Sequence, residues 1–162
     1  MKYYIGKYWV MSNSTDPQVR EEGKKKWIET AKKYGDYYMS IKNKLPKGFL
    51  KAYESNYWFH DFHFNHINIL DIDRYSSSVE FSISHEDTTY ILTFCKVKKM
   101  LFDIQTANTW LMGKLTWGYS EFELNSDGTW IIRILCDFVC ELEIVFKRVR
   151  ISKVKKTGIN NL

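Results

Sequence analysis

The spacing of hydrophobic positions changes near residue 56, from a helical period before it to strand-like alternation after it. Between residues 16 and 45, apolar side chains recur every three or four residues, which places them along one face of a single long helix. That stripe consists of Trp27, Ala31, Tyr34, Tyr38, Ile41 and Leu45.

Local signals set the ends of this helix. Asp16 can cap its amino end with Pro17 in the first turn, and Thr15 with Gln18 offers an alternative capping box. Pro46 ends it, because the residue before a proline disfavours helical backbone. A shorter helix is predicted over residues 47–55.

Beyond residue 56, short alternating runs are separated by turn sequences. Such runs are typical of antiparallel strands. A hairpin is predicted over residues 78–96, and a tight turn over 125–128. Further strands are predicted over 115–124, 130–135 and 142–151, whereas 98–113 fits either a strand or an irregular crossing.

These elements predict an α+β fold, in which the long and short helices pack on one face of an antiparallel β-meander of about six strands. The length of 162 residues favours a single domain over residues 1–162. Its helical part is expected over 16–55, its sheet over 56–152 and a frayed tail over 153–162.

Charge is unevenly distributed along the chain. The net charge is +5 overall, but it is +6 over residues 1–55, −7 over 56–146 and +6 over 147–162. This pattern suits the orientation of a protein partner better than nucleic acid, because the acidic middle repels phosphate.

The chain shows neither a secretory signal pattern nor an apolar run long enough for a membrane span. The chain has three cysteines, and so few, in an odd number, are typical of reduced thiols in a cytoplasm. We therefore expect a cytoplasmic protein that does not associate with membranes. Whether Cys136 and Cys140 pair across a hairpin is left open.

The densest polar cluster comprises His60, Asp61, His63 and His66. Imidazole and carboxylate groups are common ligands of transition metals, so a metal site or metal-dependent enzyme is one hypothesis. On a strand, however, His60 and His66 face away from Asp61 and His63. Local hydrogen bonding at a helix-to-strand junction is the favoured interpretation.

Signatures of other chemistry are weak. No glycine-rich phosphate loop or nucleophile elbow is present, and no cofactor is predicted. Three carboxylate pairs two residues apart suggest solvated strand faces. They are Asp71 with Asp73, Glu121 with Glu123, and Glu141 with Glu143.

The lysine-rich long helix raises nucleic-acid binding as a third hypothesis, although no recognised nucleic-acid motif accompanies it. Aromatic residues are abundant, at 17% of the chain, and Trp and Tyr are enriched in binding hot spots. A strand face is predicted to present four residues to a partner: Trp117, Tyr119, Glu121 and Glu123.

Two stretches of the chain resemble a family of small uncharacterised bacterial α+β proteins. One runs from Lys44-Leu45-Pro46 through Tyr53 to Phe59-His60-Asp61, Ile67 and Ile69. The other comprises Trp117-Gly118-Tyr119-Ser120-Glu121 with the later Ile134-Leu135 and Glu143-Ile144-Val145-Phe146. Such proteins frequently occur as immunity proteins beside secreted toxins.

The resemblance implies a non-enzymatic, cytoplasmic protein-binding module that neutralises a toxin by occlusion. A basic nuclease would complement the acidic strand face that the sequence predicts. The competing hypotheses are the histidine-based metal protein and the nucleic-acid binder.

Overall fold

A computed structural model describes residues 1–70, 77–104, 115–136 and 140–154. In these ranges, three α-helices precede the sheet: α1 (Gly6–Ser12), α2 (Pro17–Ile41) and α3 (Lys47–Ser55). A 3₁₀ turn over Lys42–Lys44 extends α2 toward Pro46, and a second covers Tyr57–Phe59. The two predicted helices are therefore confirmed, whereas α1 was not predicted.

The predicted capping and amphipathicity of α2 are confirmed. The Asp16 carboxylate accepts hydrogen bonds from the backbone N–H groups of Gln18 and Val19. Burial of the apolar stripe deepens toward the carboxyl end, where Tyr34, Tyr38 and Ile41 are buried. The amino-terminal half of α2 instead contacts α1.

Within the described residues, the sheet contains eight antiparallel strands, not about six. They are β1 (Phe62–Leu70), β2 (Ser78–His85), β3 (Thr88–Cys95), β4 (Lys99–Ile104), β5 (Thr116–Leu124), β6 (Trp130–Cys136), β7 (Cys140–Phe146) and β8 (Arg148–Lys153). The ambiguous segment 98–113 thus contributes strand β4, and the predicted strand 142–151 is two strands separated at Lys147.

The strand order, β4-β7-β6-β5-β1-β2-β3-β8, is not a single meander. It consists of two three-stranded meanders, β1-β2-β3 and β5-β6-β7, that exchange their fourth strands. Strand β4 follows β3 along the chain but pairs with β7, and β8 follows β7 but pairs with β3. The β3–β4 and β7–β8 connections each form a hydrogen bond with the other meander. Lys98 N–H donates to Val145 O of β7, and Lys147 N–H donates to Cys95 O of β3.

In the described ranges, the strand pairing between β1 and β5 is short: its register partners are Phe62 with Trp117 and His63 with Thr116. Beyond that point the free edge of β5 is capped by tyrosines of α2. Phe122 N–H donates to the Tyr34 hydroxyl at 2.7 Å, and Leu124 N–H to the Tyr37 hydroxyl at 3.1 Å. Side chains of α2, α3 and both meanders form one hydrophobic core.

The remaining sequence predictions concern the tail and membrane association. Lys153 ends β8 and Val154 N–H donates to Thr89 O, so the start of the predicted frayed tail is paired. Residues 155–162 lie outside the described residues. No helix in the described ranges has both the length and the apolarity that a bilayer crossing requires.

Candidate functional site

A turn between α3 and β1 displays two aromatic side chains at the protein surface. Tyr57, Trp58 and Phe59 have φ angles of 51°, 59° and 60°, and Asp61 has a φ of 68°. This left-handed region is costly for residues with a Cβ, and such strain persists only where the surroundings impose it.

Two contacts hold the turn in that conformation. Phe59 is completely buried, with its ring 5.6 Å from that of Trp117. The backbone N–H of Asp61 donates to Trp117 O, which ties the turn to β5. With Phe59 as its anchor, the turn leaves Tyr57 78% exposed and Trp58 54% exposed.

Beside this turn lies a cavity of about 750 Å³, within the size range of ligand pockets. We call it the aromatic pocket. Its wall includes the turn, α2, the start of β5 and the β2–β3 hairpin. Its aromatic lining includes Tyr4, Tyr34, Tyr38, Tyr53, Tyr57, Trp58 and Tyr119.

Two carboxylates and two imidazoles also line the aromatic pocket: Asp61, Glu86, His60 and His85. The His60 Nδ1 atom lies 3.0 Å from Asp61 Oδ1, and the His60 ring meets Tyr119 edge-on at 5.0 Å. The described lining includes no lysine or arginine, although the chain carries 24 such residues.

The phenols of Tyr4 and Tyr119 stay protonated at neutral pH. Burial raises the pKa of Tyr4 to about 12, and the neighbouring charge of Glu121 adds to that effect. Burial likewise raises the pKa of Tyr119, with Asp61 contributing. These two hydroxyl groups therefore carry no charge.

The structure divides the four residues predicted to contact a partner. Trp117 is 0% exposed and Glu121 is 1% exposed, so neither is accessible to a partner. A register irregularity between Trp117 and Tyr119 breaks the alternation that the prediction assumed. At this bulge a Cβ on Gly118 would come within 2.6 Å of Leu135 O, so the close strand approach requires glycine.

Glu121 has a structural role instead. One of its carboxylate oxygens accepts hydrogen bonds from the backbone N–H groups of Tyr3 and Tyr4, at 2.6 and 2.7 Å, and both oxygens lie near Lys2 N. It therefore holds the segment 2–4 against β5. That segment places Tyr4 in the pocket, where its ring stacks on Tyr119 at 4.9 Å.

Glu123 belongs to an ion-pair ladder across the sheet. Arg133 bridges Glu123 and Glu143 at 2.8 Å each, and Lys99 pairs with Glu143 at 3.0 Å. Glu141 contacts the Met1 amino group. The strand face predicted to be acidic is therefore largely neutralised from within the chain, while Asp71 and Asp73 lie outside the described residues.

The predicted histidine cluster is not assembled into a metal site. His60 and Asp61 line the pocket, His63 shares a hydrogen bond with Thr116, and His66 lies 3.7 Å from Glu80. Within the described ranges, no three His, Cys, Asp or Glu side chains are placed to hold a metal ion. His60 pairs with Asp61, whereas His63 and His66 have other partners, so the described residues do not gather the cluster around one ion. The metal-site alternative stays a prediction.

The other candidate features have simple structural surroundings. Cys136 and Cys140 are register partners at the β6–β7 hairpin, and both are buried thiols without a disulfide, as is Cys95.

Three lysines of α2 form ion pairs with glutamates one turn away: Lys24 with Glu21, Lys26 with Glu22, and Lys33 with Glu29. Nucleic-acid binding through this helix stays a prediction.

Comparison with known proteins adds no assignment: no protein-family model matches the chain, and no curated protein matches it. The resemblance to small bacterial α+β proteins therefore stays a prediction.

Sequence reasoning found His60, Asp61 and Tyr119 but missed Tyr57, Trp58 and Glu86. The sequence offered one signal for the missed residues. Three consecutive aromatic residues, Tyr57-Trp58-Phe59, lie between a predicted helix and a strand, where a short connection cannot bury all three rings.

Proposed function

We propose that this chain is a non-enzymatic protein-binding module, and specifically a cytoplasmic bacterial immunity protein that neutralises a cognate toxin by occlusion. The observation that carries the proposal is the strained turn that presents Tyr57 and Trp58 at the mouth of the aromatic pocket. A folded chain otherwise gains by burying a Trp ring, so its exposure at a costly backbone conformation favours a binding role.

The chemistry of these side chains supports this role. Tyr and Trp offer large rigid surfaces at a low cost in side-chain entropy and are enriched among interface hot spots. The pocket beside them can accept a protruding side chain of the partner. In this proposal Tyr57 and Trp58 replace Trp117 and Glu121 as the contact residues, while Tyr119 is kept as part of the pocket wall.

A co-expression assay tests the proposal. The toxin encoded beside this chain is expressed in a sensitive host with the wild-type chain or with the double variant Tyr57→Asn, Trp58→Asn. Asparagine tolerates the left-handed conformation, so the double variant removes the rings and leaves the turn intact. We expect the wild-type chain to protect growth and the double variant to lose that protection.

A matched control is Ile28→Gln, which removes an exposed apolar side chain from α2, where Ile28 is 66% exposed. This variant is expected to protect as well as the wild type. Failure of the wild-type chain to protect, or full protection by the double variant, would contradict the proposal.

A further inference from the structure

We propose that the aromatic pocket binds an arginine side chain of the protein partner. This inference rests on the proposed function, because it names the group that a bound partner would insert between the Tyr57–Trp58 turn and β5. A guanidinium group suits such a site in two ways: it stacks on aromatic faces, and its planar fork of N–H donors matches carboxylates.

Charge is the first argument. In a chain with a net charge of +5, this cavity has two carboxylates, Asp61 and Glu86, and no lysine or arginine in its described lining. The Asp61 side chain is 68% exposed, so its oxygens remain accessible to a cation. The pocket is therefore a site of negative charge on a basic protein, and it selects for a positive occupant.

A nearby lysine does not cancel this charge. Lys42 approaches the Tyr38 ring, with its Nζ atom 6.0 Å from the ring centre, but that atom pairs with Glu54 at 2.9 Å. The positive charge of Lys42 is therefore offset by Glu54. Because Asp61 Oδ1 lies 3.0 Å from His60 Nδ1, the second Asp61 oxygen and the Glu86 carboxylate are the groups that face an incoming cation.

The aromatic lining is the second argument. Trp gives the strongest cation–π attraction of the aromatic side chains, and Tyr57 and Tyr119 line the same cavity as Trp58. The phenolic hydroxyl of Tyr119 is uncharged at neutral pH, as its raised pKa requires. Aromatic faces and carboxylates together favour a flat organic cation over a neutral apolar group.

The size of the cavity fits a side chain carried on a loop. At about 750 Å³ and open to solvent, it can admit an arginine together with parts of the flanking residues. An arginine in a toxin would then be taken into the pocket while Tyr57 and Trp58 cover the surface around it.

A titration of the purified chain with short peptides tests this inference. The probe is a blocked Gly-Arg-Gly peptide, and its matched control is the same peptide with citrulline, which has nearly the shape of arginine but no charge. Binding is followed by NMR through the indole N–H signal of Trp58, assigned with a Trp58→Phe variant. This method detects the millimolar affinities that a single side chain gives.

We expect the arginine peptide to shift the Trp58 signal saturably and the citrulline peptide to bind about tenfold more weakly or not at all. The double variant Asp61→Asn, Glu86→Gln should weaken arginine binding by about tenfold. Asp103→Asn, which removes an exposed carboxylate on the distant strand β4, should leave it unchanged.

Equal binding of the arginine and citrulline peptides would overturn the inference, as would no Trp58 shift at millimolar peptide. A lysine peptide that binds as tightly as the arginine peptide would overturn the assignment to a guanidinium group. The outcomes are separable from those of the co-expression assay. Toxin protection without arginine binding contradicts this inference alone, and arginine binding without protection contradicts the proposed function alone.

Discussion

At the scale of single residues, the buried carboxylate Glu121 shows how one side chain determines the position of another. It satisfies backbone N–H groups of the segment 2–4, which would otherwise lie against β5 without partners. In doing so it sets Tyr4 against Tyr119 in the pocket wall. Glu121 therefore shapes the pocket without being part of the contact surface.

Replacement of Glu121 by glutamine is expected to destabilise the protein by about 2–3 kcal/mol. The amide retains only one acceptor oxygen, and its NH₂ group faces backbone donors. Urea unfolding of the variant measures the loss. Glu21→Gln, at an exposed position of α2, is the control, and a difference from that control of less than about 0.5 kcal/mol would contradict the role given to Glu121.

The aromatic pocket could be predicted only in part at this scale. His60, Asp61 and Tyr119 could be predicted as candidate residues, because titratable and aromatic residues cluster there in the sequence. The left-handed turn could not be predicted, because Tyr, Trp and Phe give no local signal for positive φ, unlike Gly or Asn. The conformation results from tertiary contacts of Phe59 and of the Asp61 backbone.

At the scale of elements, the packing of α1 on α2 depends on one glycine. A Cβ on Gly23 would lie 2.6 Å from Met11, so the two helices cross too closely for any side chain there. Gly35 lies in the same helix, and a Cβ there would meet nothing within 4 Å. The two glycines therefore form a matched pair.

Gly23→Ala is expected to destabilise the protein by about 1–3 kcal/mol through overpacking. Gly35→Ala is expected to stabilise it by about 0.5–1 kcal/mol, because alanine reduces the freedom of the unfolded chain and favours the helix. Thermal and urea unfolding of both variants measure these effects. Equal effects of the two substitutions would show that the helices do not cross at Gly23.

The elements differ in how far the sequence predicts them, for identifiable reasons. Helix α2 has a cap, a proline and a 25-residue periodic pattern, and it was predicted well. Helix α1 is seven residues long with no side-chain cap and no fully buried residue, so it depends on contact with α2. Strand alternation predicted individual strands, but it carries no information on which strands pair, so the exchange of β4 and β8 was missed.

At the scale of the whole molecule, the ion-pair ladder runs from Glu123 on β5 through Arg133 and Glu143 to Lys99 on the β4 edge. Lys2 Nζ lies 3.8 Å from Glu123 and so connects the amino-terminal segment to the ladder. Burial raises the pKa of Glu143, but hydrogen bonds from Lys99 and Arg133 outweigh burial and bring that pKa below its ordinary value of 4.5. The folded protein therefore binds fewer protons at Glu143 than the unfolded chain does. The stability that Glu143 contributes is present above pH 4.5 and is lost as pH falls through the folded-state pKa.

The expected result is a gap in the free energy of unfolding between the wild type and Glu143→Gln that is widest above pH 4.5 and closes at lower pH. Urea unfolding at a series of pH values between neutrality and about pH 3 measures the gap. A gap that is independent of pH would show that the ladder contributes nothing through the charge of Glu143.

The same ladder changes the electrostatic interpretation of the molecule. The sequence predicted an acidic strand face for a basic partner, but Glu123 and Glu143 share Arg133 and Lys99. Accessible negative charge is found instead at the aromatic pocket, with Asp61 and Glu86. We therefore expect a basic partner to bind at the aromatic pocket and the Tyr57–Trp58 turn, and not at the strand face.

The most direct test of the proposed binding surface is the dissociation constant of the purified chain with the product of the neighbouring gene, which the proposal identifies as the toxin, measured by isothermal titration calorimetry. The Tyr57→Asn, Trp58→Asn variant should bind at least about 30-fold more weakly than the wild type, as expected for the loss of a hot spot of about 2 kcal/mol. Ile28→Gln should bind as the wild type does. Unchanged affinity in the double variant, or no binding by the wild-type chain, would contradict the account.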